Sequence, residues 1–421
     1  MNRRAVRAIG LAVVAGLVAR LFFGFSYWVG KPLTHDEREY LALSANLAAG
    51  RGFGYPPAAP GEPEPERFGR APIYPLFLAA VTTAGSLESL TAIRLAQSIV
   101  GALSVWLVAL VAMRVAGPPA GVVAAWIAAL YPPLVWTPAY VFSETLYMAL
   151  ALSHVLVVDR ALSPGGTDGA GRAPAPPSWL VWCGVLGGLA ALTRPAHLFF
   201  LLLLGLWLLG KRRLRDGVLI AVGAILVIAP WTYRNYREYG RPVLIASEGG
   251  ITFWTGNHPL SPGEGDMAAN PAIKRDNQRL RAAHDGLTPE QLEPVYYREA
   301  MSAIARDPRW WLGLLARKAF YTWIPAGPSY TLHSTRYLVA SLVSYGLLLA
   351  AGVTGALLVM RARRWPVALG LLLASAMLVC VVFFPQERFR IPVIDPALIV
   401  LAAGGLALRK PKILESLASH A

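Results

Sequence analysis

Charge is what this sequence has least of. Of its 421 residues only 15% are charged, against 55% hydrophobic ones, and the mean hydropathy is +0.47. A soluble domain of this length carries more charge and breaks its apolar runs more often, so an ordinary globular protein is excluded. Acids are the rarer sign: 24 Asp and Glu stand against 39 Lys and Arg, a net charge of +15. The basic residues sit in short clusters between long apolar stretches and form no contiguous basic face. They therefore read as membrane-orientation signals, and nucleic acid is excluded as a partner. Cysteine is almost missing, with Cys183 and Cys380 both in apolar runs, which excludes a disulfide framework and a cysteine-based metal site. No internal repeat of the transporter kind is visible. Nor does the N-terminus read as a cleaved leader. Arg3, Arg4 and Arg7 precede an apolar run too long for a signal peptide and without a clear small-residue cleavage site, so it is expected to be a first transmembrane helix.

A membrane-spanning helix needs about 20 mostly apolar residues. Such stretches fall near 8–29, 91–114, 118–135, 139–159, 179–194, 196–210, 216–232, 336–360, 365–384 and 391–408. The expectation is an all-α polytopic membrane protein of about ten transmembrane helices. Under that reading Arg3/Arg4/Arg7, Arg114, Arg160/Arg172, Lys211/Arg212/Arg213/Arg215, Arg361/Arg363/Arg364 and Arg409/Lys410/Lys412 share one side, which the positive-inside rule makes cytoplasmic. Residues 1–421 form a single membrane domain with both termini inside. Residues 30–90 make a first outer loop and 233–335 a second outer segment, both carrying short interfacial helices. Residues 163–178, rich in Pro and Gly, make a flexible cytoplasmic linker, and Pro56–Glu66 a similarly irregular stretch outside.

The first outer loop opens on Thr34-His35-Asp36-Glu37. Thr34 and Glu37 have the spacing of a capping box, and Leu41, Ala45 and Ala48 continue at helical spacing up to Gly50. On this pattern alone the acids read as the caps of a surface helix and nothing else. Glu144 lies near the outer end of an apolar span, where an acid faces a cavity or pairs with a neighbouring arginine. Arg20, inside the first span, is either that partner or an anion ligand. Arg194, Arg234, Arg388 and Arg390 all stand at outer ends, against the usual charge bias. They either bind an anion such as phosphate or pack against the outer loops. Taken together, outward-facing carboxylates (Asp36, Glu37, Glu144) and arginines supply what sugar transfer from a phosphate-linked donor needs. A carboxylate takes a hydroxyl proton and cations stabilise the departing phosphate.

In the second outer segment Ile251-Thr-Phe-Trp254-Thr-Gly-Asn257-His258 offers aromatic and amide groups of the kind that contact sugars. With Tyr74 and Asn235 these are the candidate sugar or acceptor contacts. Thr288 and Gln291 form a second capping box, and the helix after Asp307-Pro308, with Trp310, Trp311, Leu314, Leu315 and Lys318, is expected at the membrane surface. His154 reads as a packed polar residue.

The stretches THDEREYLALSANLAAGRGF, RAPIYPLFLAA, SETLYMAL, LAALTRPAHLFFLL, APWTYRNYREYGRPVLIASEGGITFWTGNHP and ERFRIPVIDPALIVLAA, in that order, resemble the glycosyltransferase-C superfamily. The resemblance is to its family 39-like group, which includes protein O-mannosyltransferases and the aminoarabinose transferases of lipid A. It implies a GT-C fold in the plasma membrane, with the active site facing the exterior or periplasm. It also implies a polyprenyl-phosphate sugar donor, a lipid, glycan or protein acceptor, and inverting transfer. Asp36 matches the family's base with Glu37 beside it, Glu144 its second acid on the acceptor or metal side, and Arg388 and Arg390 the late arginines near the lipid phosphate. No cofactor follows with certainty, and a divalent metal is compatible with these acids. The competing readings are a flippase or transporter of a lipid-linked sugar, and a membrane scaffold subunit whose acids only cap helices.

Overall fold

The computed structural model describes residues 3–55, 69–83, 89–162, 176–265, 267, 269–324 and 334–409. Pro56–Glu66, Lys410, Lys412 and nearly all of the expected cytoplasmic linker lie outside them. Among the described residues there is no strand.

Each of the ten expected spans falls on a helix. They are α1 (Arg3–Phe22), α4 (Ser89–Ala116), α5 (Pro118–Leu130), α7 (Glu144–Leu162), α8 (Pro177–Thr193), α9 (His197–Gly210), α10 (Leu214–Tyr239), α15 (Thr335–Arg361), α16 (Val367–Val382) and α18 (Ile394–Arg409). Among the described residues five stretches are long and apolar enough to cross a membrane: Arg3–Tyr27, Ser89–Leu130, Glu144–Leu162, Leu214–Tyr239 and Thr335–Arg361. The second of these turns back on itself at Gly117, whose φ of +79° suits only glycine without strain and lets Pro118 start α5. The α4–α5 hairpin forms the centre of the bundle, with α1, α7 and α18 packed around it.

The bundle is held by close backbone approach, because lipid tails are as apolar as leucine and give helices no hydrophobic reason to associate. Where α8 crosses α10, a methyl group on Gly184 would collide with the carbonyl of Ile220, and one on Gly223 with that of Val181. Gly355 of α15 and Gly405 of α18 meet in the same way. The opposite faces are stripes of exposed large apolar residues, such as Leu11, Val14 and Val18 on α1 and Val222, Ile225 and Leu226 on α10. In a lipid solvent that is the expected surface.

The short helices gather at one end of the bundle. They are α2 (His35–Ala48) and α3 (Ile73–Thr83) from the first outer loop, α6 (Pro132–Trp136) before α7, α11 (Gly249–Gly256), α12 (Pro271–Ala282), α13 (Pro289–Arg306) and α14 (Pro308–Trp323) from the second, and α17 (Glu387–Arg390) between α16 and α18. Both capping boxes form, Thr34 with Glu37 and Thr288 with Gln291. Two details differ from the sequence expectation. α10 runs past its expected end to Tyr239, so Arg234 and Asn235 are helical. Lys318 of α14 is fully buried instead of surfacing: its ammonium donates to Asn257 Oδ1 at 2.9 Å and to the carbonyl of Val381 at 3.2 Å. It thereby satisfies a carbonyl that the end of α16 leaves without a helical partner.

Candidate active site at the loop-covered end

Asp36 lies one residue inside the N-terminus of α2, and the capping box fixes which acid does what. Glu37 uses Oε2 to accept from the backbone N–H of Thr34 at 2.8 Å, and Oε1 to accept from that of Val141 at 2.9 Å. Both its oxygens are thus consumed, one in capping α2 and the other in tying that helix to the segment before α7. Asp36 points the other way, into a cavity of about 760 Å³ roofed by the outer segments.

Three arginines and four acids meet there. Arg388 Nη1 binds Asp36 Oδ2 at 2.6 Å, and its Nε binds Glu144 Oε1 at 2.9 Å. Arg194 Nη1 reaches the same Glu144 oxygen at 2.9 Å. Arg70 Nη2 binds Asp36 Oδ1 at 3.0 Å, while its Nη1 holds Glu248 Oε2 at 2.6 Å and its Nε and Nη2 clasp Glu39. The fold brings these groups together because each stands at the loop-covered end of the bundle: Asp36 and Glu39 on α2, Glu144 at the start of α7, Arg194 just after the end of α8, and Arg388 on α17. Burial alone would raise the Asp36 carboxyl, but Arg388 and then Arg70 outweigh it and hold it well below the usual carboxylate range. At Glu39 burial wins instead, and the carboxyl is pushed up despite Arg70. Arg388 stays protonated: its acid neighbours more than offset its burial.

Of the residues singled out from sequence, Asp36, Arg194 and Arg388 line the cavity, with Glu144 directly behind the two arginines. The others sit elsewhere, each for a visible reason. Arg20 is not the partner of Glu144; it donates to the carbonyl of Gly16 one turn back on α1, and to those of Ala128 and Ala129 at the C-terminal end of α5, where a cation is favoured. Arg390 is buried against Asp395, Nε to Oδ1 at 3.0 Å, with its guanidinium 3.5 Å over the Tyr345 ring. Arg234 ties α10 to the first loop, Nη2 donating to the carbonyl of Phe53 at 2.7 Å. Asn235 donates to the carbonyls of Val243 and Ile245, and Tyr74 to Gln97 Oε1 at 2.7 Å. Trp254 packs with Tyr296 in a small core of the second segment, His258 faces Asp276, and both ends of the Asn257 amide are hydrogen-bonded. Among the cavity residues not singled out as site residues are Arg70, Glu39, Glu248 and Arg241. Arg70 had a signal, since it stands just before a proline-interrupted apolar stretch expected outside, where positive charge would run against the usual bias.

Among the described residues no three His, Cys, Asp or Glu side chains are grouped to hold a metal ion. The acids here meet guanidinium groups instead, a donor set that does not fit a resident metal.

The cavity has a second, apolar half. Leu198, Phe199, Val379, Phe383 and Phe389 line it, and Leu198, Pro242 and Leu244 are shared with a groove of about 680 Å³. That groove runs between α9 and α10 and is walled by Leu201, Leu204, Leu208, Ile220 and Ile225. A charged chamber thus opens sideways onto an apolar channel along two membrane helices.

The helical frame with its charged, loop-covered end is the glycosyltransferase-C fold. Within it, residues 69–233 match the family model described as dolichyl-phosphate-mannose-protein mannosyltransferase. The oligosaccharyltransferase AglB from Archaeoglobus fulgidus, solved in complex with an inhibitory peptide and a dolichol-phosphate, superposes with a TM-score of 0.57 at 15% sequence identity, over 99% of this chain and 52% of that one. Its apo form superposes with the same TM-score at 16% identity, over 99% and 52%. The chain thus spans about half the length of the oligosaccharyltransferase. ArnT from Cupriavidus metallidurans bound to undecaprenyl phosphate superposes more loosely, with a TM-score of 0.43 at 16% identity over 95% of this chain and 77% of that one. No curated protein matches the sequence.

Proposed function

We propose that this chain is a membrane glycosyltransferase that moves a sugar from a polyprenyl-phosphate donor to an acceptor hydroxyl on the extracytoplasmic face. The observation that carries this reading is the continuity of the charged cavity with the α9–α10 groove. A lipid phosphate needs both at once, guanidiniums for its head and an apolar channel for its tail. The AglB complex, which shares this fold, holds a dolichol-phosphate.

The chemistry follows from the charges. At rest Asp36 is a weak base, because two arginines stabilise its ionised form. A donor phosphate entering beside Arg194, Arg241 and Arg388 competes for the Arg388 guanidinium. Arg241 is well placed to join it, since its Nη1 donates to the carbonyl of Glu290 and not to a carboxylate. As Arg388 turns toward phosphate, Asp36 Oδ2 is released and its basicity rises. Asp36 then takes the acceptor hydroxyl proton while that oxygen bonds to the anomeric carbon. The bond from that carbon to the phosphate oxygen breaks, and its electron pair leaves with the lipid phosphate. A single displacement of this kind inverts the anomeric centre. Glu144 keeps Arg194 and the Arg388 Nε in place throughout.

The direct test is purified protein with a panel of polyprenyl-phosphate sugars, each scored for donor consumption. Consumption of none would overturn the assignment, and movement of intact donor across liposomes would make the chain a flippase. Within that assay Arg388→Ala should weaken donor binding about 10- to 100-fold, the scale of a lost charge-assisted contact. Unchanged affinity would remove the phosphate role.

The sidedness also belongs to this proposal. The basic clusters stand at the ends opposite the cavity, so the positive-inside rule turns the cavity outward, across the plasma membrane. Gln278 is exposed on α12 and Lys211 at the other end of the bundle. In intact cells an impermeant maleimide should label Gln278→Cys at once and Lys211→Cys only after permeabilisation. The reverse pattern would sink the model of an external site.

A further inference from the structure

Beneath the cavity floor a line of buried polar side chains runs into the membrane bundle, and the reaction above uses none of it. Tyr147, in the first turn of α7, lines the cavity with the Arg194 guanidinium 5.9 Å from its ring. Its hydroxyl lies 3.2 Å from His197 Nδ1 at the start of α9. His197 Nε2 lies 2.9 Å from His154 Nδ1, further along α7, and His154 Nε2 lies 3.5 Å from Cys183 Sγ in α8. Both imidazoles are wholly buried, and the Phe200 ring packs against each, at 5.1 and 5.0 Å. Gly187 clears space for the line, since a Cβ there would come within 2.7 Å of the His154 ring. Two histidines in an apolar interior are costly unless every polar atom is used. Here all four ring nitrogens have partners.

With one proton on each ring, only two ordered arrangements satisfy all three contacts. In the first, Tyr147 donates to His197, His197 to His154, and His154 to the Cys183 sulfur. In the second the direction reverses: Cys183 S–H donates to His154 Nε2, His154 Nδ1–H to His197 Nε2, and His197 Nδ1–H to the Tyr147 oxygen. The first ends on a thiol sulfur, a weak acceptor. The second ends each donor on a nitrogen or oxygen and leaves the Tyr147 O–H to turn toward the cavity. A hydroxyl that accepts one hydrogen bond from behind is also a stronger donor in front.

We infer that Tyr147 is a hydrogen-bond donor to the phosphate of the lipid donor, and that His197 and His154 are positioning residues that aim its hydroxyl. This rests on the lipid-phosphate reading of the cavity. It gives Arg194 and Arg388 a neutral third partner on the membrane side, where the phosphate would join the tail.

The test uses purified full-length protein in detergent, with farnesyl phosphate as a short polyprenyl phosphate and farnesol as its phosphate-free control. Tyr147→Phe keeps the ring and removes the hydroxyl. It should weaken farnesyl phosphate binding about 10- to 100-fold and leave farnesol binding as it was. His197→Phe should cause a similar loss in the wild-type background and no further loss in the Tyr147→Phe background, since it acts through that hydroxyl. His154→Phe serves the same cycle where His197→Phe does not fold. Wild-type affinity for farnesyl phosphate in Tyr147→Phe would overturn the contact, and additive losses would overturn the positioning role. Equal binding of farnesol and farnesyl phosphate by the wild type would overturn the lipid-phosphate reading itself, and this inference with it.

Discussion

Asp36→Asn should lower turnover about 10²- to 10⁴-fold, the range of a lost general base, while the melting temperature in detergent moves little. The reason for the second half lies in the ion-pair geometry. Arg388 keeps Glu144 and Arg70 keeps Glu39 and Glu248, so neither guanidinium is left without a carboxylate. The amide preserves the shape and one accepting oxygen. The capping of α2 is untouched, because Thr34 and Glu37 perform it. At neutral pH the Asp36 carboxyl is ionised in the free protein, held so by Arg388 and Arg70. Turnover near that of the wild type would show that Asp36 is not the base. A collapse of the melting temperature along with turnover would make it a structural acid.

Arg390→Ala should behave in the opposite way. Although only two residues from Arg388, it faces the bundle interior, where Asp395 is wholly buried and accepts a further hydrogen bond from Tyr131 Oη at 2.9 Å. Glu387 lies 3.5 Å from the same guanidinium and is itself held by Ser341 Oγ at 2.5 Å. Removing the cation strands a buried carboxylate, which costs about 3–5 kcal/mol, two to four decades in the folding equilibrium. Thermal unfolding in detergent measures it. Adding Asp395→Asn should recover part of the loss, because the stranded charge goes with it. An Arg390→Ala protein that melts like the wild type and binds donor poorly would return Arg390 to the phosphate.

The two arginines show where sequence reading reaches its limit. Both stand in Glu387-Arg388-Phe389-Arg390, and by charge and position they are equivalent. About half a helical turn separates their directions: residues two apart point about 200° apart around a helix, so one faces the cavity and the other the bundle. The same holds for Asp36 and Glu37, although there the capping-box spacing did mark Glu37 for structural work. Arg20 was legible as an anomaly, an arginine inside a span, but its partners are backbone carbonyls of α5, which no sequence pattern announces. Trp254, Asn257 and His258 have sugar-binding chemistry, and the packing of α11 against α13 and the end of α16 employs that chemistry to hold the second outer segment together.

By itself the sequence determined the class of solvent, the helical composition and which loops share an end of the bundle. Lipid cannot hydrogen-bond a backbone, so long apolar runs have one spanning solution, and the few charges left over mark its ends. Local rules were enough for the capped helices as well, because capping is settled within four residues. What only the tertiary structure decided is the pairing of charges. Asp36, Arg70, Glu144, Arg194, Glu248 and Arg388 come from six separate segments, and ion pairs depend on distances of about 3 Å that no spacing along the chain encodes. The same is true of the line from Tyr147 to Cys183, where α7, α8 and α9 each contribute groups whose hydrogen bonds exist only once the three helices have packed.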